Sequence, residues 1–152
     1  MISVVLFLCA LLGAVVHAKV RKESFPRTFL YYMMFFNVGV MGLLAFFAHL
    51  FMADATAAKI GWAEGSPFQS EIGMANLSYG ILGFLSIWFR GKFTLATVLG
   101  YSILLWGAFV VHLIQFSHGD IAPYNIGIFV WFNDLIIPFI LLSLVGYIFT
   151  ES

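Results

Sequence analysis

The chain has 152 residues, of which 62% are hydrophobic, 18% aromatic and only 9% charged. A soluble domain carries about 25% charged residues, so this deficit and the long apolar runs place the chain in the membrane class. Seven basic and seven acidic residues cancel, which leaves no basic field for nucleic acid. A single cysteine, Cys9, excludes an internal disulfide. No CxxC, HExxH, GxGxxG or P-loop pattern occurs, so soluble-enzyme motifs give no lead.

The first apolar run covers residues 2–18. A cleaved signal peptide carries its positive charges before the apolar region; here Lys19, Arg21, Lys22 and Arg27 follow it. That order predicts a signal anchor with its N-terminus outside. A second span covers 28–52, with Tyr31 and Tyr32 near its basic end, where interfacial aromatics collect. Asn37 and His49 are its polar members. Residues 53–65 are less apolar and predict a short surface helix, capped by Asp54 and anchored by Trp62.

Ser66-Pro67-Phe68-Gln69 has the capping-box spacing, with proline at a favoured first-turn position. It opens a third span over 67–89, with Glu71 near the positive end of the helix dipole. Gly73, Asn76, Gly80 and Gly83 are spaced three, four and three. They share one face and predict a small-residue groove for close helix contact, a reading preferred here to a ligand groove. Arg90-Gly91-Lys92 is a basic turn. The fourth span, 94–116, holds Ser102, Trp106, His112 and Gln115. A loop over 117–123 contains Gly and Pro as breakers.

The fifth span, 125–150, contains Phe129-Val-Trp-Phe-Asn-Asp-Leu-Ile-Ile-Pro138. It puts an amide and a carboxylate, Asn133 and Asp134, among Phe, Trp, Ile and Leu. Pro138 has no N–H and crowds the carbonyl four residues back, that of Asp134, so the helix is expected to bend or open between them. Polar groups in hydrocarbon are costly and turn towards a bundle interior, a partner or a water-filled cavity.

The predicted fold is all-α: one integral membrane domain, 1–152, forming a transmembrane bundle of five spans. Four make a core and the N-terminal anchor helix is added to it. Alternating spans put six of the seven Lys and Arg residues on one side. The positive-inside rule then predicts a bacterial inner-membrane protein with its N-terminus outside and its C-terminus cytoplasmic.

In that topology His49, Glu71, Asn76, His112, Asn133 and Asp134 all fall in the outer half of the bundle. Asn133 and Asp134 lie roughly 12 Å in, at 1.5 Å per residue. Three readings remain open. These groups bond one another and fix the bundle. Alternatively Asp134, Asn133, His112, Glu71, His49, Asn76 and Trp131 line an outward-facing pocket for a small polar ligand or lipid headgroup, with Trp62, Trp106 and Phe132 as further walls. In the third, His49, His112, Glu71 and Asp134 bind zinc or iron, or the two histidines ligate a haem in a membrane oxidoreductase. No cofactor is the expectation. The small size also suits a subunit of a membrane complex or a homo-oligomer, with lipids as partners.

The stretch Gly61-Trp-Ala-Glu-Gly-Ser-Pro-Phe-Gln-Ser-Glu71, with His112 and Asn133-Asp134, resembles a family of small uncharacterised bacterial membrane proteins. The plan also faintly resembles the DoxX and MauE four-helix membrane proteins, some linked to respiratory or thiol redox chemistry. The paired cysteines are absent and the first helix is additional. Neither resemblance supplies catalytic residues.

Overall fold

A computed structural model describes residues 2–150. Among them all regular structure is helical. Helix α1 is Ile2–Arg21 and α2 is Phe25–Phe51, separated by a turn in which Lys22 takes a φ of 57°. Then come α3 (Ala53–Ile60), α4 (Phe68–Leu85), α5 (Lys92–Ser117), the one-turn α6 (Pro123–Ile126) and α7 (Val130–Thr150).

Four helices, α1, α2, α5 and α7, are long and apolar enough to cross a membrane. The third predicted span is the one that does not qualify. Its helix, α4, has 18 residues and ends at Leu85, short of the expected Phe89. Gln69, Ser70, Glu71, Asn76 and Ser78 dilute its apolar character. Beyond Leu85 the chain tightens into three-residue turns, with Ile87 N–H donating to the Phe84 carbonyl at 3.1 Å. The fold is therefore an all-helical bundle with four candidate spans, plus a more polar fifth long helix packed on α2.

The contact between α2 and α4 is made backbone to backbone. A Cβ on Gly42 would lie 2.7 Å from the Asn76 carbonyl oxygen and from the Gly80 backbone. One on Gly83 would lie 2.6 Å from Gly39 N. The small-residue face predicted on α4 is thus a packing groove, matched by Gly39 and Gly42 on α2. On α1, Ser3, Leu6, Ala10, Ala14 and Ala18 form the buried stripe. Val5, Leu12, Val16 and Val20 on its opposite face are exposed, as suits a helix turned towards hydrocarbon. The central core joins Met33, Met34 and Val38 of α2 to Val98, Tyr101 and Leu105 of α5 and Ile137, Leu141 and Val145 of α7.

Two π-helical segments interrupt the bundle, Met34–Val40 in α2 and Val130–Ile136 at the start of α7. The first carries Asn37, which is fully buried. Its amide donates to the Ser3 carbonyl at 3.3 Å, and its own carbonyl accepts from the Tyr101 hydroxyl at 3.1 Å. The second overlaps the stretch where the helix was expected to bend or open, and starts earlier than expected. The irregular stretch lies before and across Asp134, and a regular α-helix starts at Ile137 with Pro138 in its first turn. Pro138 has no N–H to give the Asp134 carbonyl one turn back, and the wide turns end just before it.

The basic end of the bundle is also tied together. The Arg90 guanidinium sits 4.6 Å above the Tyr31 ring. His17 Nε2 is 3.8 Å from Glu23, and its Nδ1 is 3.3 Å from the Tyr32 hydroxyl.

Candidate functional site

At the opposite, upper end, where α1 begins and α2 ends, the helices splay around a cavity of about 610 Å³. Helix α2 contributes Met41, Leu44, Ala48 and His49, and α4 contributes Phe68, Ile72 and Asn76. Helix α5 adds Tyr101, Leu105 and His112, and α7 adds Asn133 and Asp134. Thr56, Ile60 and Trp62 close one side, and Tyr124 and Phe129 another. Most of this lining is apolar, with a few polar groups, the composition typical of small-molecule sites.

The polar centre is built from α5 and α7. Asp134 and Asn133 are each 2% exposed. The Asn133 amide donates to Asp134 Oδ1 at 2.8 Å, which holds the carboxylate in place. Asp134 Oδ2 faces His112 Nε2 at 4.0 Å. That is an ion-pair distance but too long for a hydrogen bond.

The orientation of His112 is fixed from behind. Its Nδ1 pairs with Asn125 Oδ1 at 2.7 Å, while Asn125 Nδ2 donates to the Asp120 carbonyl at 3.4 Å. Because the amide nitrogen is taken by a carbonyl, the amide oxygen meets the ring, and an oxygen can only accept. His112 Nδ1 therefore carries a hydrogen, and Nε2 is the atom turned to Asp134. Helix α6 exists to place Asn125, which is 2% exposed. Its loop is held against α3, where Gly61 has a φ of 85° and a Cβ would collide with the Asp120 carboxylate.

A similar arrangement recurs at His49. Its Nδ1 pairs with Gln69 Oε1 at 2.7 Å. Gln69 is 1% exposed and does not reach back to close a capping box. Ser66 Oγ still accepts from the Phe68 N–H at 3.3 Å, but burial draws Gln69 to the histidine. Asp54, expected as a cap, instead accepts from the Gly65 N–H at 3.0 Å, and Met52 occupies the cap position of α3. Trp62 turns inward as a cavity wall, packed on Phe68 with ring centroids 5.4 Å apart.

Comparison with known proteins adds one assignment. A model described as "Family of unknown function (DUF6790)" matches residues 1–148. The chain belongs to this family. No curated protein and no solved structure matches it.

In this family member the cavity brings together His49, Asn76, His112, Asn133 and Asp134. Glu71 and Trp131 are not among its walls, and both are exposed. Glu71 lies two residues from buried Gln69, about 200° around the helix at 100° per residue. Trp131 is 47% exposed and packs on Phe109. Trp106 packs on Phe139 and donates to the Leu135 carbonyl at 3.5 Å, and Phe132 packs on Phe7. Asn76 lines the cavity, with its amide donating back to the Ile72 carbonyl at 2.9 Å. Among the described residues no three His, Cys, Asp or Glu side chains are grouped to hold a metal ion. Glu71 points away from the set that would include it. Gln69, Asn125 and Tyr101 are the residues that the sequence reading left out. The signal for Gln69 and Asn125 was their place in the first turn of the predicted spans 67–89 and 125–150, where a buried amide is unusual.

Proposed function

We propose that this protein binds a small amphipathic molecule, a lipid or a lipid-like solute, in an intramembrane cavity open to the outer face. The observation that carries the reading is the coincidence of a ligand-sized, mainly apolar space with one buried acid–amide–imidazole cluster at its wall. Intramembrane hydrogen bonds average well below 2 kcal/mol, so a cluster of this kind is a poor device for stability alone. Five membrane crossings, with α4 as the most polar of them, carry the upper end to the outside of a bacterial inner membrane. The basic residues at the other end support that orientation. A reporter fused after Ser117 should then report the outside and one after Ser152 the cytoplasm; the reverse contradicts five crossings with the N-terminus outside.

The binding reading is tested by stability. Adding total membrane lipid extract to delipidated protein should stabilise the wild type by about 2.7 kcal/mol at a hundredfold excess over Kd. Asp134→Asn should unfold as cooperatively as the wild type but gain little from the extract, because the amide fills the same volume without the charge. Equal gains in both proteins would refute the assignment of Asp134 to the site.

A further inference from the structure

Resting on the reading of the cavity as a ligand site, we infer that its polar end recognises a primary amine or ammonium group on an apolar body. Three donors near Asp134 are already engaged. His112 Nδ1–H is held by Asn125, the Tyr101 hydroxyl by the Asn37 carbonyl, and the Asn133 amide donates to Asp134 Oδ1. In the bound state that we infer, the cation keeps Asp134 ionised, and His112 Nε2 and Asp134 Oδ2 face each other as two acceptors. Among the described residues Asp134 is the only Asp, Glu, Lys or Arg in the cavity wall, so its carboxylate is the one formal charge that the wall offers. A monocation balances that carboxylate, whereas no Lys or Arg of the described wall would meet an anionic headgroup.

The 4.0 Å gap between the two acceptors decides the kind of cation. One nitrogen donating to both, at about 2.8 Å each, would bond at an angle of roughly 90°, near what two N–H groups on one atom can supply. A metal at about 2.1 Å from each would need an angle of roughly 145°, far from the tetrahedral arrangement of zinc. A hydroxyl has one hydrogen and cannot serve both acceptors, and a quaternary ammonium has none. Aromatic walls from Tyr101, Tyr124, Trp62, Phe68 and Phe129 suit the body of such a cation and its immediate surroundings.

The test uses the full chain in non-ionic detergent and four matched probes: hexylammonium, hexyltrimethylammonium, hexanol and hexanoate. Binding is read from the fluorescence of Trp62, with Trp62→Phe as the blank, and from the thermal midpoint. Hexylammonium is expected to bind about tenfold more tightly than each of the others, the effect of one additional charge-assisted hydrogen bond. Asp134→Asn should abolish that preference. If the trimethyl probe, hexanol or hexanoate binds as tightly as hexylammonium, the inference falls and the cavity remains a site for another class of ligand. Stoichiometric zinc binding lost in Asp134→Asn would also overturn it. If no probe binds at all, the reading of the cavity as a ligand site falls with it.

Discussion

Gly42→Leu is expected to prevent the protein from folding to a stable bundle. The loss should be about 3 kcal/mol or more, at the upper end of overpacking costs. The first atom of any side chain at Gly42 would sit 2.7 Å from the Asn76 carbonyl and the Gly80 backbone. Backbone cannot swing aside as a flexible side chain can, so the two helices must separate. In hydrocarbon little hydrophobic force opposes that separation, because helix association rests on close packing. The damage reaches the cavity, since α2 carries His49 and α4 carries Phe68, Ile72 and Asn76 into its wall. Gly146→Ala is the control: nothing lies within 4 Å of a Cβ there, and helix propensity favours alanine by up to about 1 kcal/mol. Thermal unfolding of both variants in the same detergent checks the contrast. A Gly42→Leu midpoint equal to that of the wild type would show that α2 and α4 are not packed as described.

The second large effect is expected at Asn125, which no helix of the core contains. Asn125→Leu removes the acceptor for His112 Nδ1–H and the donor to the Asp120 carbonyl together. Leaving a buried donor without a partner costs about 1–3 kcal/mol. The imidazole would also be free to turn, so its Nε2 would no longer be aimed at Asp134. The variant should therefore lose thermal stability and most of the lipid-dependent stabilisation as well. A destabilised variant with wild-type ligand response would mean that Asn125 supports the loop without orienting the histidine.

The parts of this molecule visible in its sequence are those written in polarity. His49, His112, Asn133 and Asp134 stand out because each interrupts an apolar run, and all four line the cavity. The groove of Gly73, Asn76, Gly80 and Gly83 was visible because helical spacing alone puts those residues on one face. Helical phase also shows why Glu71 and Trp131 fail. With Gln69, Gly73 and Gly80 marking the inner face of α4, Glu71 must turn outward, and with Val130, Asn133 and Asp134 buried, Trp131 must do the same. Gln69 was obscured by a stronger local pattern, since Ser-x-x-Gln reads as a cap before it reads as a histidine partner. The first π segment has no sequence signature, whereas Pro138 lies just past the end of the second. An extra residue in a turn is paid for by tertiary contacts, such as those of Asn37 with Ser3 and Tyr101, which join residues far apart in the chain. The count of crossings was the weakest point for a related reason. Hydropathy measures α4 as though every face met lipid, whereas Gln69 and the glycine face are buried against α2.

The central claim is that the cavity beside Asp134 and His112 holds one organic molecule, and intact-mass measurement tests it most directly. The 17.0 kDa chain, gently solubilised without chelator and released from its detergent micelle at low activation, should carry a single additional organic mass. That mass should disappear in Asp134→Asn, while the variant chain itself remains folded. A wild-type chain that flies bare at the lowest activation, or one that carries the mass of a transition metal or a haem lost in His112→Ala, would contradict the account.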